Sequence, residues 1–332
     1  MVSLKNYNTF GVDVIANEVY NISSFKELQH LIKSGKYAES NPLILGGGSN
    51  ILFTGNYEGT IYRAASENIN IKNTSEKKIH IECDAGIEWD SFVEFCVNNN
   101  YGGLENLSYI PGRTGAAPIQ NIGAYGAEIC QAIEMVNALD LETGEKLIFN
   151  NKECQFGYRT SIFKNELKGK VFITSVVFSL SLNKHLYNTA YGQVEQRLSQ
   201  LGKTNLKNIR DAIIGIRKEK LPEPLETGNA GSFFKNPMVT EDVFTDLADK
   251  FKTIPSYPAG TGYRKLPAAW LIEKCGWKGY RDGDAGVHKN QALVLINYGS
   301  ATGLEILKLS EEIIKSVNDK FGIVLEREVN VD

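Results

Sequence analysis

The chain has 332 residues, of which 42% are hydrophobic and 23% charged, with a net charge of −3 and a pI near 5.9. This length buries a sizeable core in two or three domains, and the acidic balance argues against nucleic acid or an anionic membrane as the main partner. "MVSLKNYNTFGVDV" lacks the apolar core of a signal peptide, and the most apolar stretch, "VFITSVVFSLSL", is too short to span a bilayer, so a cytoplasmic protein is expected.

"SSFKELQHLIKS" reads as an amphipathic helix. Ser24 and Glu27 have capping-box spacing, and Phe25, Leu28, Leu31 and Ile32 share one face. "PLIL" reads as a short buried strand that ends in "GGGSN", and a second apolar run, "ILF", follows. "IHIECDAGIEW" alternates as a strand into a turn, and "WDSFVEFCVNNN" looks helical. "GLENLSYIPGRTGAAPIQNIGAYG" has little periodicity but high apolar content, which suits an ordered loop, either functional or an Ω-loop packed on its own side chains. "AIEMVNALDLETGEKLIF" reads as two strands joined by a turn at 142–144, and "VFITSVVFSLSL" as a third strand. "NIRDAIIGIRKEKL" is a helix that stops before "PEP", where the last domain is expected to separate. Beyond it come helices in "DVFTDLADKF", "PAAWLIEKCGWKG" and "GLEILKLSEEIIKSVNDKFG", a buried strand "ALVLIN" and a closing strand "IVLEREVNV". Strands and helices mix without strict alternation, so the class is α+β. The expected division is 1–66, 67–212 and 213–332.

The five cysteines are widely spaced with no CxxC, which suits buried free thiols rather than disulfides or zinc, and no metal is expected. "LGGGSN" after a strand is either a tight turn or an anion nest of backbone amides for a pyrophosphate. It is not a dinucleotide fingerprint, because Ile51 stands where the third glycine belongs. Nor is "LGKT" at 201–204 a P-loop, since Arg197 replaces its first glycine. "DGDAG" at 282–286 begins like a calcium loop but has Leu293 at the twelfth position. In "FGYRTSIFK", Arg159 sits among aromatics, where it either grips a carboxylate or makes an internal ion pair. In "LEREV", Glu326 and Glu328 would share one face of a strand. "GNAGSFFKNP" sets Ser232 between small glycines and two phenylalanines, as a turn residue or a hydroxyl delivered to a substrate.

Taken together, "NTFGVD", "LGGGSN", "GLENLSYIPG", "PIQNIGAYG", "FGYRTSIFK", "GNAGSFFKNP", "AAWLIEKCGWKG" and "LEREV" resemble the UDP-N-acetylenolpyruvoylglucosamine reductase family over nearly the whole chain. The resemblance implies a vanillyl-alcohol-oxidase (PCMH-type) fold: two α+β subdomains for non-covalent FAD and a C-terminal α+β substrate-binding domain. It implies NADPH as reductant, UDP-N-acetylglucosamine enolpyruvate as substrate, UDP-N-acetylmuramate for peptidoglycan as product, and a monomer. Gly46, Gly47, Gly48, Ser49 and Asn50 would then bind FAD, together with Pro111, Gly112, Gly115, Ala116, Gln120, Asn121, Gly123, Ala124 and Tyr125. "TAYGQV" is similar to the tyrosine loop of the longer subtype, which assigns Tyr191, with Lys220, Asn236 and Gln291, to the substrate. Ser232 would be the proton donor, with Arg159 and Glu328 stabilising negative charge. Two stretches depart from the family pattern. "PGRTG" carries Arg113 and Thr114 where Pro-Gly-x-Val-Gly is usual, and the terminal motif has Arg327 and Asn330 where proline and arginine are usual.

Two other readings stay open at this point. A different oxidase or dehydrogenase on the same flavin scaffold would react with oxygen and have no need of the Ser232, Arg159 and Glu328 set. A decayed UDP-sugar binder would be colourless or fail to be reduced.

Overall fold

The computed structural model describes all 332 residues, which cluster into two compact units. The first is made of residues 1–2, 16–47 and 57–219; the second of 3–15, 48–56 and 220–332. Against the expected 1–66, 67–212 and 213–332, segments 3–15 and 48–56 group with the C-terminal residues, and the later division falls at 219/220.

Besides a two-stranded sheet, Gly123–Ala124 with Ala127–Glu128, the first unit holds two large ones. In one, β1 (Ile15–Ile22) and β2 (Pro42–Ile44) flank β3 (Tyr57–Ala64) in parallel, with Val19 and Leu43 both opposite Ile61. Helix α1 (Phe25–Lys33) makes the crossover, and its fully buried Leu28 packs with Ile22, Tyr37 and Tyr62. Ser24 caps it by accepting from the Glu27 amide, but the Glu27 carboxylate turns back to the Ser23 amide at 2.8 Å. The box expected between Ser24 and Glu27 is therefore displaced by one residue on its return bond.

The larger sheet is antiparallel, in the order β7-β6-β8-β5-β4: β4 (Ile69–Thr74), β5 (Lys78–Asp84), β6 (Ile133–Asp140), β7 (Lys146–Asn150) and β8 (Val171–Ser181). Helix α2 (Trp89–Asn98) lays Trp89, Phe92, Val93 and Cys96 on Ile81, Val176 and Phe178. Each such side chain contributes on the order of 1.5–3 kcal/mol on burial. The turn from β6 to β7 is where the sequence put it. The Asp140 carboxylate accepts from the Glu142 and Thr143 amides at 2.9 and 2.7 Å, and Gly144 takes φ +72°. The Thr143 amide holds the Asp140 carboxyl below its ordinary range. After α3 (Val194–Leu201), helix α4 (Leu206–Lys220) closes the segment.

In the second unit β9 (Gly228–Asn229) pairs with β11 (Leu295–Asn297), which pairs with β10 (Ala285–Val287). Around them lie α5 (Glu241–Lys250), α6 (Ala268–Lys274) and α7 (Gly303–Phe321), the last opened by a full Thr302–Glu305 capping box. Gly303 must be glycine, since a Cβ there would sit 1.7 Å from the Phe53 carbonyl oxygen. The predicted closing strand is not continuous. Only Asn330–Val331 is a strand, paired in parallel with Ile51–Leu52. Upstream, Arg327 makes a single bridge to Phe234. Because the segment changes partner midway, Glu326 and Glu328 do not form a pair on one strand face. Glu326 is exposed and ion-paired to Lys235, whereas Glu328 is half-buried.

All five cysteines are free, with Cys83, Cys96 and Cys154 buried. Burial pushes the Cys83 and Cys154 thiols up to about 12, which keeps them unreactive. No helix is long and apolar enough to cross a membrane.

Candidate active site

In the first unit the aperiodic loop folds as a run of short 3-10 turns, Glu105–Leu107 and Thr114–Ala116, stapled to its surroundings by backbone bonds. The Trp89 amide donates to Gly112, Thr114 to Ile87, and Gly115 to Ala85. Two glycine loops meet here. A Cβ on Gly47 would sit 2.8 Å from the Gly112 Cα, one on Gly46 3.0 Å from the Ala116 Cβ, and one on Gly115 2.5 Å from the Ala85 Cβ. Gly112 has φ +128°. Neither the Gly46 nor the Gly47 amide donates in the backbone hydrogen-bond network, so both are free to turn toward phosphoryl oxygens. Glycine loops packed this closely, offering backbone amides, fit a diphosphate and a flat ring.

Further along the loop, Asn121 is fully buried and φ-positive. Its amide donates to Glu128 and to the Gly157 carbonyl, and its oxygen accepts from the Cys130 amide. It thus holds the loop from within. Arg159, with φ +55°, donates from Nη2 to the Gly123 carbonyl at 2.8 Å and lies beside the Tyr158 ring. Tyr125 packs edge-on against exposed Tyr191, ring centroids 6.3 Å apart.

Sequence reasoning missed Arg217, whose guanidinium bonds the Tyr125 phenol and the Tyr109 carbonyl. Burial lowers its affinity for the proton and raises that of Tyr125. The Tyr109 amide in turn donates to Asp90, which Arg210 grips at 2.5 and 2.9 Å. On a helix rich in charge these arginines read as solvated, and only their spacing of seven residues, two turns of one face, hinted otherwise.

In the second unit Gly48 takes φ +65°, and a Cβ there would strike the Tyr7 carbonyl at 1.9 Å. Asn50 donates from its side chain to the Glu328 carbonyl at 3.2 Å and accepts the Asn330 amide at 3.1 Å. The Glu328 amide donates to the Phe233 carbonyl at 2.8 Å. Ser232, half-buried, thus sits one residue from a direct backbone tie to Glu328. Phe233 and Phe234 are 0% and 1% exposed, so they anchor the segment while Ser232 stays reachable. Asn236 accepts the Ala268 amide at 2.9 Å and so satisfies the first amide of α6. Gln291 lies half-buried in the turn between β10 and β11, its carbonyl accepting from Val294. Lys220 is exposed at the end of α4.

The departures from the family pattern have local partners. Thr114 donates its hydroxyl to Ile87 at 3.1 Å, so it fills a buried position without an orphan polar group. Arg113 donates to the Ala64 carbonyl at 2.6 Å. Arg327 turns to helix α7, donating to Ser310 at 2.9 Å beside Glu311, and Asn330 donates to the Asn50 carbonyl.

Residues 223–331 match the family described as the C-terminal domain of UDP-N-acetylenolpyruvoylglucosamine reductase, and residues 19–148 match the FAD binding domain. The chain is 47% identical to the UDP-N-acetylenolpyruvoylglucosamine reductase of Flavobacterium johnsoniae, covering 99% of this chain and 98% of that one. It is 44% identical to that of Pseudomonas putida, over 99% and 97%. The crystal structure of the Thermus caldophilus protein superposes with a TM-score of 0.68 at 23% identity, covering 99% of this chain and 97% of that chain. The α+β flavin-binding fold expected from the sequence stands.

Proposed function

The chain belongs to the UDP-N-acetylenolpyruvoylglucosamine reductase family, and we propose that in it Ser232 is the proton donor, with Arg159 and Glu328 stabilising the charge that precedes protonation. The reaction is reduction of the enolpyruvyl group of UDP-N-acetylglucosamine enolpyruvate to UDP-N-acetylmuramate in peptidoglycan synthesis. When bound, FAD would supply the hydride for the enol-ether double bond, with NADPH as the reductant. The loops at Gly46–Asn50 and Pro111–Tyr125 would hold it.

Hydride addition at the terminal carbon leaves negative charge on the neighbouring carbon and its carboxylate. The planar fork of Arg159 suits that carboxylate, and Glu328 in its acid form adds a second donor. Ser232 then protonates the carbon. The observation that carries this assignment is the 2.8 Å bond from the Glu328 amide to the Phe233 carbonyl, which keeps carboxyl and hydroxyl on adjoining, anchored segments.

Tyr191, Lys220, Asn236 and Gln291 are assigned to the UDP-sugar. Tyr191→Phe is expected to raise the apparent KM for the enolpyruvyl substrate about tenfold, the worth of one hydrogen bond to a charged diphosphate, and to leave flavin reduction unchanged. Slowing of NADPH oxidation alone would contradict it. Since NADPH and nucleotide sugars are cytoplasmic metabolites, we read the protein as a cytoplasmic monomer whose partners are those small molecules.

The purified protein is expected to be yellow, to be bleached by NADPH under anaerobic conditions and to be reoxidised by the enolpyruvyl sugar. Acid or heat should release free FAD. Flavin that stays with the denatured chain, or reoxidation by oxygen but not by the sugar, would overturn the reading.

A further inference from the structure

Asn229 is 2% exposed and spends its whole side-chain amide inside the second unit. Its oxygen accepts the Gly231 amide at 2.9 Å, a turn closed two residues on, and Gly231 takes φ +68°. Its two N–H groups reach back to the carbonyls of Pro222 at 3.1 Å and Thr227 at 2.9 Å. The backbone around it cannot shift. The Asn229 amide donates to Thr9 at 2.9 Å, and a Cβ on Gly228 would strike the Phe10 carbonyl oxygen at 2.1 Å. Pro222 follows Lys220 by two residues, and Ser232 follows Gly231 directly. One side chain therefore ties the segment after Lys220 to the segment before Ser232.

We infer that Asn229 is a positioning residue that sets the Ser232 hydroxyl through Gly231 and the Lys220 segment through Pro222, so that proton delivery and nucleotide binding share one brace. The inference rests on the assignment of Ser232 and Lys220 above. An amide is required for it. A carboxylate at 229 keeps the acceptor for Gly231 but loses both donors, and alanine loses all three bonds.

The test is rapid mixing of holoenzyme in two halves, flavin reduction by NADPH and reoxidation by the enolpyruvyl sugar. Asn229→Ala should reduce flavin within about twofold of wild type but reoxidise it roughly 30-fold more slowly, with the sugar bound about tenfold more weakly. Asn229→Asp should recover part of the reoxidation rate and none of the affinity. In a Ser232→Ala background, Asn229→Ala should cost no further rate, because the hydroxyl it positions is gone. Equal slowing of both halves, or an undiminished effect in that background, would reduce Asn229 to a structural residue. Should Asn229→Ala fail to retain flavin, Gly231→Ala decides. A methyl there meets nothing within 4 Å, so its effect is conformational, through the positive φ. Several-fold slower reoxidation alone is expected, and wild-type reoxidation overturns the inference. Wild-type reoxidation in Ser232→Ala itself would instead remove the proton-donor assignment, an outcome separable from any result at Asn229.

Discussion

Gly47→Val is expected to yield a folded chain that purifies without flavin. The contact at Gly47 is backbone against backbone: an added Cβ would lie 2.8 Å from the Gly112 Cα and 3.3 Å from its carbonyl carbon. Neither atom is the end of a flexible side chain, so one loop must move. Gly112 is poorly placed to yield. Its carbonyl accepts the Trp89 amide at 2.9 Å, and two residues on Thr114 is bonded to Ile87 through both its amide and its hydroxyl. The strain of such overpacking is typically about 1–3 kcal/mol, which a core with Trp89, Phe92 and Phe178 at its centre should survive. The amides of Gly46 and Gly47 would be turned from the diphosphate, and FAD affinity should fall at least about 100-fold, the equivalent of roughly 2.7 kcal/mol. The check is the ratio of flavin to protein absorbance, with circular dichroism to confirm folding and titration of free FAD to measure the loss. Gly55→Ala is the control, because a Cβ there meets nothing within 4 Å. Full flavin content in Gly47→Val would mean that this glycine contact is only a turn.

That contact marks the limit of what could be read without coordinates. "LGGGSN" read as a tight turn or an anion nest, without showing which glycine meets what: Gly47 faces Gly112 and Gly48 faces Tyr7. Helices were legible where periodicity and caps agreed, as in α1 with Ser24 as its cap. Strand β3 escaped notice because Gly59 and Arg63 break its apolar pattern. Gly59 is in fact where the Asn41 carbonyl comes within 2.1 Å of a would-be Cβ, a sign of tight packing and not of a turn. "IVLEREVNV" misled in the other direction. Its alternation suits a strand, yet residues 326–328 bond to 233–235 and residues 330–331 to 51–52, so no single ladder forms. Ser232 and Glu328 were assigned to the site through motif resemblance. Asn229 and Arg217 were not, because a polar residue in a loop and a charge on a helix look the same whether solvated or bridging.

Ser232→Ala should separate the two halves of the reaction more sharply than any other substitution. Ser232 lies outside the matched FAD binding domain, and NADPH oxidation needs no proton at the substrate carbon, so flavin content and flavin reduction are expected to stay near wild type. Reoxidation by the enolpyruvyl sugar is expected to fall by about 10²–10⁴-fold, the usual worth of a positioned proton donor. Serine is a poor acid in water, so its competence depends on placement. The hydroxyl follows Gly231, held at φ +68°, and precedes two phenylalanines 0% and 1% exposed. An enolate-like carbanion is a far stronger base than an alkoxide, so the transfer is favourable, and no other donor is assigned to that face. Under the proposed assignment, without that hydroxyl the charge is not quenched, and the hydride can return before the carbon is protonated. Ser232→Cys should retain more activity than alanine, since a thiol also donates a proton and differs little in shape. Mixing pre-reduced variant with the enolpyruvyl sugar and following flavin absorbance reads the step directly. The serine is a turn residue if the alanine variant reoxidises at the wild-type rate, and the Phe233–Glu328 bond then orders a segment with no chemistry of its own.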